Sequence, residues 1–447
     1  MKYSLMVYLL TIVSNCFSQT YEAYMEKGKS LYYESKYTES LSYFNNAVAL
    51  RKNDVEAYLF RGKVKYFLND SNGAKKDFLK IISINPKKAI AYYWLSSVLI
   101  YNEEDSYQEA IKYLDKAIEI EKDNPKYYAL KGFAYYYMKN YPEAIKEFTL
   151  AIALNSTDIF VYYYSGISNY EVKNYVLSEI NLNRALEMKT NNEDGHLSGK
   201  MFYDMAFTKI GLEKYSDAIH YLDSAYLVDS SLTTAFYVKG LIKSTERNYI
   251  EAIQYFNFYL NKNATNHYAY FLRGQAKYNI KDYIGAMDDI NIAIKSDSTN
   301  AEYFQYRGES KFYIDDDTGA LADLSMAIKL DSTNIKSYIY RALCNVSLKN
   351  YSAAMNDYNK AISLDSNSTY CYRKRANLKE ILQDYTGARD DYDKAIAINP
   401  KDGDAYYYRG RLKLLYLNVD DSGCADLSMA AALGNEDALD EIEENCE

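Results

Sequence analysis

The sequence predicts an all-α protein, a solenoid of about twelve stacked helix hairpins closed by a C-terminal capping helix. Three observations carry that expectation. The stretch 270–293 (YFLRGQAKYNIKDYIGAMDDINIA) recurs at a fixed offset: 34 residues on, Phe304, Gly308, Ala320 and Ala327 take the places of Tyr270, Gly274, Ala286 and Ala293, and 34 residues back stand Phe236, Gly240 and Ala252. A period of that size marks one supersecondary unit repeated along a line. Helix breakers are scarce, with 4 Pro and 18 Gly in 447 residues, while 48% of the chain is apolar, which suits helices throughout. Finally, each period divides at a polar turn into two apolar patterns of helical spacing, and two antiparallel helices per period form a hairpin.

The residue equivalent to Gly274 falls at Gly28, Gly62, Ser96, Gly132, Gly166, Ala206, Gly240, Gly274, Gly308, Ala342, Ala376 and Gly410. Nine of the eleven spacings are 34, and the two longer ones place insertions near 102–105 and 190–200. Ala at the Ala286 position recurs at Ala74, Ala110, Ala144, Ala218, Ala252, Ala320, Ala354 and Ala388. Small residues on both helices permit a close axial approach. The Tyr270 position is aromatic in all twelve units and reads as a buried plug.

A basic residue precedes the small one, and an acid follows sixteen positions later. The pairs are Arg61/Asp77, Lys131/Glu147, Arg273/Asp289, Arg307/Asp323, Arg341/Asp357 and Arg375/Asp391, with Arg409/Asp426 in a last unit one residue longer. Where the acid is missing the base is often missing too, as at Leu95/Tyr113 and Ser165/Asn181. This covariation within one chain predicts an ion pair inside each hairpin. A basic ladder for an acidic ligand is the alternative, which the paired acid opposes by neutralising it.

These residues resemble the tetratricopeptide repeat (TPR) family. The pattern of aromatic, Gly or Ala, Tyr, Ala, aromatic or Leu, Ala and Pro is carried by Tyr58, Gly62, Ala74, Phe78 and Pro86 in the second unit and by Tyr128, Gly132, Tyr141, Ala144, Phe148 and Ala151 in the fourth. The resemblance covers an array over 21–433. It implies a right-handed α-α superhelix with a concave groove, and a non-enzymatic scaffold that binds protein or extended peptide segments there. In that family, ligands contact the inner faces of the first helices. Mapped here, the positions four and five beyond the small residue give Tyr32, Tyr33, Tyr66, Phe67, Tyr101, Tyr136, Tyr137, Tyr170, Tyr278, Phe312 and Tyr313 as candidate partner contacts. The competing reading of an aromatic stripe on a repeated helix is core.

The ends differ from the array. Residues 1–18 read as a signal peptide: Lys2, an apolar run from Leu5 to Val13, then small residues before a cut after Ser18. Export to the periplasm, the envelope or the medium is therefore expected. Lipid attachment at Cys16 is the alternative to its removal, and with it a structural or assembly role in a bacterial envelope. Residues 434–447 read as an acidic capping helix, such as solenoid ends need. Cys424 and Cys446 fall at the same end of one antiparallel helix pair and are expected to form a disulfide. Cys344 and Cys371 are expected to be free, buried thiols.

The net charge of −9 disfavours a nucleic-acid partner, which needs clustered Lys and Arg. No nucleophile elbow, metalloprotease helix or phosphate loop occurs, and three His in 447 residues leave little for acid–base chemistry. The expectation is no catalytic residue, cofactor or metal, and no transmembrane segment.

Overall fold

The computed structural model describes residues 20–103, 106–188, 195–417 and 420–446. The leader read at 1–18, with Cys16, lies outside the described residues, as do parts of both insertions. The chain divides into two compact units, one ending at Leu232 and the other beginning at Thr233.

In the first unit the helices are α1 (20–33), α2 (Tyr37–Leu50), α3 (Val55–Phe67), α4 (Ser71–Ile84), α5 (Ala89–Asn102) and α6 (Tyr107–Ile120). They continue as α7 (Pro125–Tyr137), α8 (Tyr141–Ala153), α9 (Ile159–Glu171), α10 (Tyr175–Met188), α11 (Gly195–Gly211) and α12 (Tyr215–Val228). The second unit holds α13 (Thr234–Thr245), α14 (Tyr249–Lys262), α15 (His267–Asn279), α16 (Tyr283–Ser296), α17 (Ala301–Tyr313), α18 (Asp317–Leu330) and α19 (Ile335–Ser347). It ends with α20 (Tyr351–Leu364), α21 (Thr369–Ile381), α22 (Tyr385–Ile398), α23 (Gly403–Leu412), α24 (Asp420–Ala432) and α25 (Asp437–Asn445). Among the described residues there is no strand. Odd- and even-numbered helices pair as hairpins, so the protein is an all-α tandem helix-hairpin solenoid. Residues 195–200, read from the sequence as insertion, instead begin α11.

Ten of the hairpins turn at one left-handed residue seven positions past the small one. Ser35, Asn69, Lys139, Lys173, Glu213, Arg247, Lys281, Asp315, Lys349 and Gln383 all have φ near 60° (58–65°). The next N–H reaches back to close the helix end, as in Asp70 N to Lys65 O (2.8 Å) and Asp282 N to Lys277 O (3.0 Å), a Schellman arrangement built without its usual glycine. Asp then caps the second helix. Asp70, Asp282, Asp316 and Asp384 each accept from the backbone N–H of a Gly three residues on. Those glycines are needed, because a Cβ on Gly73, Gly285, Gly319 or Gly387 would lie 2.0–2.3 Å from the Asp carboxylate. The free N–H groups of a helix start thus find an acceptor.

Hairpin closure differs in part from the sequence reading. Gly28, Gly62, Gly132 and Gly240 receive the ring sixteen residues on (Phe44, Phe78, Phe148, Phe256), and an added Cβ would meet those rings at 2.6–2.8 Å. The small residue thus makes room for a large side chain as well as for the opposing backbone. The opposing backbone itself is near at Gly166 (Leu182 N, 3.2 Å from such a Cβ), Gly274 (Ala286 carbonyl, 3.2 Å) and Gly410 (Gly423 carbonyl, 3.0 Å). In two units Ser takes a small position and bonds across: Ser40 to the Gly28 carbonyl (2.8 Å) and Ser96 to the Ala110 carbonyl (2.9 Å). The aromatic plug is corrected as well. Of its twelve members only Tyr92, Phe304 and Tyr338 are buried, and the rest are half-exposed. Their rings instead form a shelf under the basic residue. The Arg273 guanidinium stands 5.2 Å from the Tyr270 ring, Arg61 5.1 Å from Tyr58, and Arg409 5.4 Å from Tyr406, a cation–π contact.

All seven predicted pairs make contact across their hairpins, at 2.6 Å for the six Arg–Asp pairs and 2.9 Å for Lys131–Glu147. Each Arg donates Nε and Nη2 to the two oxygens of one buried Asp, a bidentate fork. Two further partners were not anticipated. A Lys four residues after the Arg reaches the same carboxylate: Lys65, Lys277, Lys311, Lys379 and Lys413, at 2.8–2.9 Å. The remaining Nη1 donates backwards to the second helix of the preceding hairpin, as from Arg273 to Asn257 (2.7 Å), Arg307 to Asn291 (2.7 Å) and Arg375 to Asn359 (2.7 Å). One arginine therefore locks its own hairpin and ties it to its neighbour.

In the last unit the extra residue is absorbed by a π-helical turn, Lys413–Leu417. Beyond it, Gly434 ends α24 with φ +88° and Asn435 caps α25 by accepting from Ala438 N (3.1 Å). The Cys424 and Cys446 sulfurs are bonded, with Cα atoms 5.7 Å apart, while Cys344 and Cys371 are free and buried. Burial pushes the Cys344 thiol up to about 12.

Candidate functional site

The candidate aromatics lie on first helices, which touch one another side by side within each unit: α3 with α5, α5 with α7, α7 with α9, and separately α15 with α17. A position five beyond the small residue points outward. Tyr33, Phe67, Tyr101, Tyr137 and Tyr313 are exposed, Tyr33 by 74% and Tyr137 by 38%. One residue earlier, Tyr32, Tyr66, Tyr136, Tyr170, Tyr278 and Phe312 are half-buried and pack edge-on against neighbours, as Tyr32 on Phe60 (5.6 Å), Tyr66 on Trp94 (5.6 Å) and Tyr136 on Tyr164 (4.7 Å). The eleven candidates thus form two rows about 100° apart around a helix, one set into the hairpin stack and one presented to solvent.

The outer row is held in place. Phe67 stacks on Tyr37 (4.9 Å), Tyr137 on Tyr107 (6.0 Å) and Tyr313 on Tyr283 (4.7 Å). In each case the partner is the first residue of the preceding hairpin's second helix. In the last unit, Leu414 and Leu415 stand four and five positions beyond Gly410. The π-helical turn shifts the register by one, so Tyr416 takes the place and stacks on Tyr385 at 4.4 Å. The spacing of these pairs, thirty residues in three and thirty-one in the last, was a legible signal, masked by the stronger period of 34.

In the first unit the rows enclose two adjoining hollows. One, of about 280 Å³, is lined by Tyr93, Tyr101, Lys126, Leu130, Phe133 and Asp158 among others. Another, of about 270 Å³, lies between Tyr101, Phe133, Tyr137, Asp158, Phe160 and Tyr164. Burial, followed by the neighbouring Tyr164, pushes the Tyr136 and Tyr137 hydroxyls up to about 12, so both remain neutral donors. Phe133 and Trp94 escaped the sequence reading because they occupy positions one after and two before the small residue, which it did not map.

The second unit differs. Tyr278 donates to Glu309 (2.6 Å), which also accepts from Gln305 (2.7 Å) and is buried. Burial raises the Glu309 carboxyl above its ordinary range. Tyr313 meets Tyr340 at 3.0 Å. Here Tyr278 is tied to a buried acid, and Tyr313 keeps an exposed face. No group of three or more His, Cys, Asp or Glu that could hold a metal ion occurs among the described residues, and none of their helices is long and apolar enough to cross a membrane.

Four hairpins match family profiles described as tetratricopeptide repeat: residues 55–88, 89–124 and 335–368 one profile, and 125–158 another. Over those residues the chain carries tetratricopeptide repeats. Among solved structures, it is similar to a tetratricopeptide repeat protein from Parabacteroides merdae ATCC 43184, with 17% identity over 55% of this chain and 97% of that one, at a TM-score of 0.45. A crystal structure of MamA aligns at 22% identity, covering 37% of this chain and 96% of that one with a TM-score of 0.35. YrrB, described as a TPR protein with an unusual peptide-binding site, aligns at 20% identity over 44% of this chain and 97% of that one, with a TM-score of 0.38. At such scores the likeness says nothing of a ligand. No curated protein matches the chain.

Proposed function

We propose that this TPR protein is a non-enzymatic scaffold that captures a protein partner, or an extended segment of one, on the first-helix face of hairpins two to five. The observation that carries this reading is the outer aromatic row. Phe67, Tyr101 and Tyr137 stay exposed although each is braced by neighbouring rings, next to hollows that match side chains in size. Tyr and Phe held rigidly bring large contact area at low ordering cost, and a preformed surface spares one side of the complex the entropy of arrangement. Each hollow falls just below the ~300 Å³ at which small-molecule sites begin, which favours side chains of a peptide as the occupants. Binding along the concave side of a superhelix is part of the same proposal, as is export. The leader-like residues 1–18 and the Cys424–Cys446 disulfide both suit an oxidising compartment.

The half-buried and exposed rows define the test. Replacing Phe67, Tyr101 and Tyr137 together by Ser should abolish partner capture from cells and lower the melting temperature by less than about 3 °C, as expected of surface changes in so large a protein. Retention of the partner by that variant would remove this face from the account.

A further inference from the structure

Lys63 stands one position past the small residue of hairpin two, on the same face of its helix as Phe60 and Phe67. Its ammonium lies 5.1 Å from the Phe60 ring and 5.2 Å from the Trp94 ring. Unlike the ladder lysines, which each meet a buried Asp, Lys63 has no carboxylate within ion-pair reach and no hydrogen-bond acceptor among the described residues. Beside it the Trp94 Nε1–H is buried and also lacks an acceptor. Lys126, which lines the adjoining hollow, has no ion pair among the described residues either. The two ammonium groups feel each other: burial lowers the Lys63 pKa, and the charge of Lys126 lowers it further. The one acid lining this hollow, Asp158, is engaged through Oδ1 in capping α9, accepting from Phe160 N at 2.9 Å.

A chain of net charge −9 that pairs its structural cations thus leaves two uncompensated positive charges together, among aromatic rings, on the face proposed for binding. We infer that the partner segment is acidic and aromatic: a carboxylate side chain meets Lys63 and Lys126, while an adjacent apolar or aromatic side chain enters the hollow between Tyr101 and Phe133. This rests on the proposed binding face and adds to it the chemistry of the ligand. A partly desolvated ammonium gains more from an arriving carboxylate than an exposed one does, and the local charge also raises the rate of encounter with an acidic segment.

Trp94 is the chain's single Trp and touches Lys63, so its fluorescence reports occupancy directly. Full-length protein is titrated with a blocked decapeptide alternating Glu and Phe, with its Gln and Lys counterparts, and with inorganic phosphate. The Glu peptide should shift Trp94 emission and bind at least tenfold more tightly than the Gln peptide. The Lys peptide and phosphate should give no saturable change. Lys63→Gln should weaken the Glu peptide tenfold or more without affecting the Gln peptide, and Lys126→Gln, at an exposed site that cannot disturb the fold, should weaken it in the same sense. Equal binding of Glu and Gln peptides, preference for the Lys peptide, saturation by phosphate alone, or Lys variants that bind the Glu peptide unchanged would each overturn the inference. Loss of peptide selectivity while the Phe67/Tyr101/Tyr137 variant still fails to capture its partner would refute the charge reading alone. Capture unaffected in that variant would refute the binding face itself.

Discussion

At the scale of single residues, two devices repeat so often that small gains accumulate. The hairpin turn demands a left-handed backbone, yet ten described turns supply it from Ser, Asn, Lys, Glu, Arg, Asp or Gln. A side chain there costs on the order of 1 kcal/mol over Gly. Lys281→Gly should therefore raise stability by about 0.5–1 kcal/mol in urea unfolding, and a loss of stability would show that this turn is not strained. The arginine fork is the other device. Arg273→Ala leaves Asp289, 2% exposed, with only Lys277 for a partner, at 2.9 Å. Breaking a buried pair costs roughly 3–5 kcal/mol when no second cation remains, so a loss of about 2–3 kcal/mol is expected here. Asn257→Ala, which removes only the tie to the preceding hairpin, should cost about 1 kcal/mol. A double-mutant cycle between the two should show coupling of comparable size.

Glu309 supplies the pH dependence at this scale. Its carboxyl is raised above 4.5 by burial and is held by neutral donors, Tyr278 and Gln305. A carboxyl whose folded pKa is raised favours the folded state's proton, so stability falls as pH rises above the unfolded value. Stability should therefore be higher near pH 5 than near pH 8, and Glu309→Gln should flatten that slope. An unchanged slope would mean that other groups set it.

At the scale of elements, the hairpin was legible and its joints were not. The period of 34, the small residue and the Arg–Asp pair could be read because each repeats in register, and repetition within one chain substitutes for comparison between chains. The Lys four residues after the Arg repeats in five hairpins, at Lys65, Lys277, Lys311, Lys379 and Lys413, but on a helix surface it looks like ordinary solvation until its carboxylate is seen beneath it. The Nη1 bond to the preceding hairpin was less visible still, since its acceptor varies among Asn257, Asn291, Ser325, Asn359 and Asp393. The aromatic shelf was misread because a fully repeated ring suggests core, whereas here it serves the guanidinium above it. As for the candidate site, spacing named a helix face but could not separate half-buried Tyr136 from exposed Tyr137. Adjacent positions differ by a rotation of about 100°, and only the neighbouring hairpin decides which of them is covered.

The C-terminal cap is an element with its own fastening. Leu427, Ala430 and Ala438 form a small buried cluster with Ile442 and the tyrosines Tyr406 and Tyr407 against it, and the disulfide closes a separation of 22 residues. A loop of that size contributes roughly 3 kcal/mol. Cys446→Ser should speed amide exchange across α24 and α25 while leaving exchange in α1–α12 unchanged, since stability in a solenoid passes between nearest neighbours. Faster exchange throughout the first unit would contradict that locality.

At the scale of the whole molecule, the repeated positions make the scaffold and the positions that vary make its surfaces. Both units share the fork and the small residue, yet their first-helix faces differ. The first carries Phe67, Tyr101 and Tyr137 with Lys63 and Lys126, which have no ion pair among the described residues, and the second carries Tyr278 bound to buried Glu309. One fold thus displays two chemistries, and the proposal assigns recognition to the first. The measurement that tests this most directly is photo-crosslinking in intact cells from a reactive residue placed at Tyr137, compared with one placed at Leu150, an exposed position on the second helix of the same hairpin. The account predicts a discrete protein adduct from position 137 and none from position 150. An adduct from 150 with none from 137 would place recognition on the opposite side of the hairpins and contradict it.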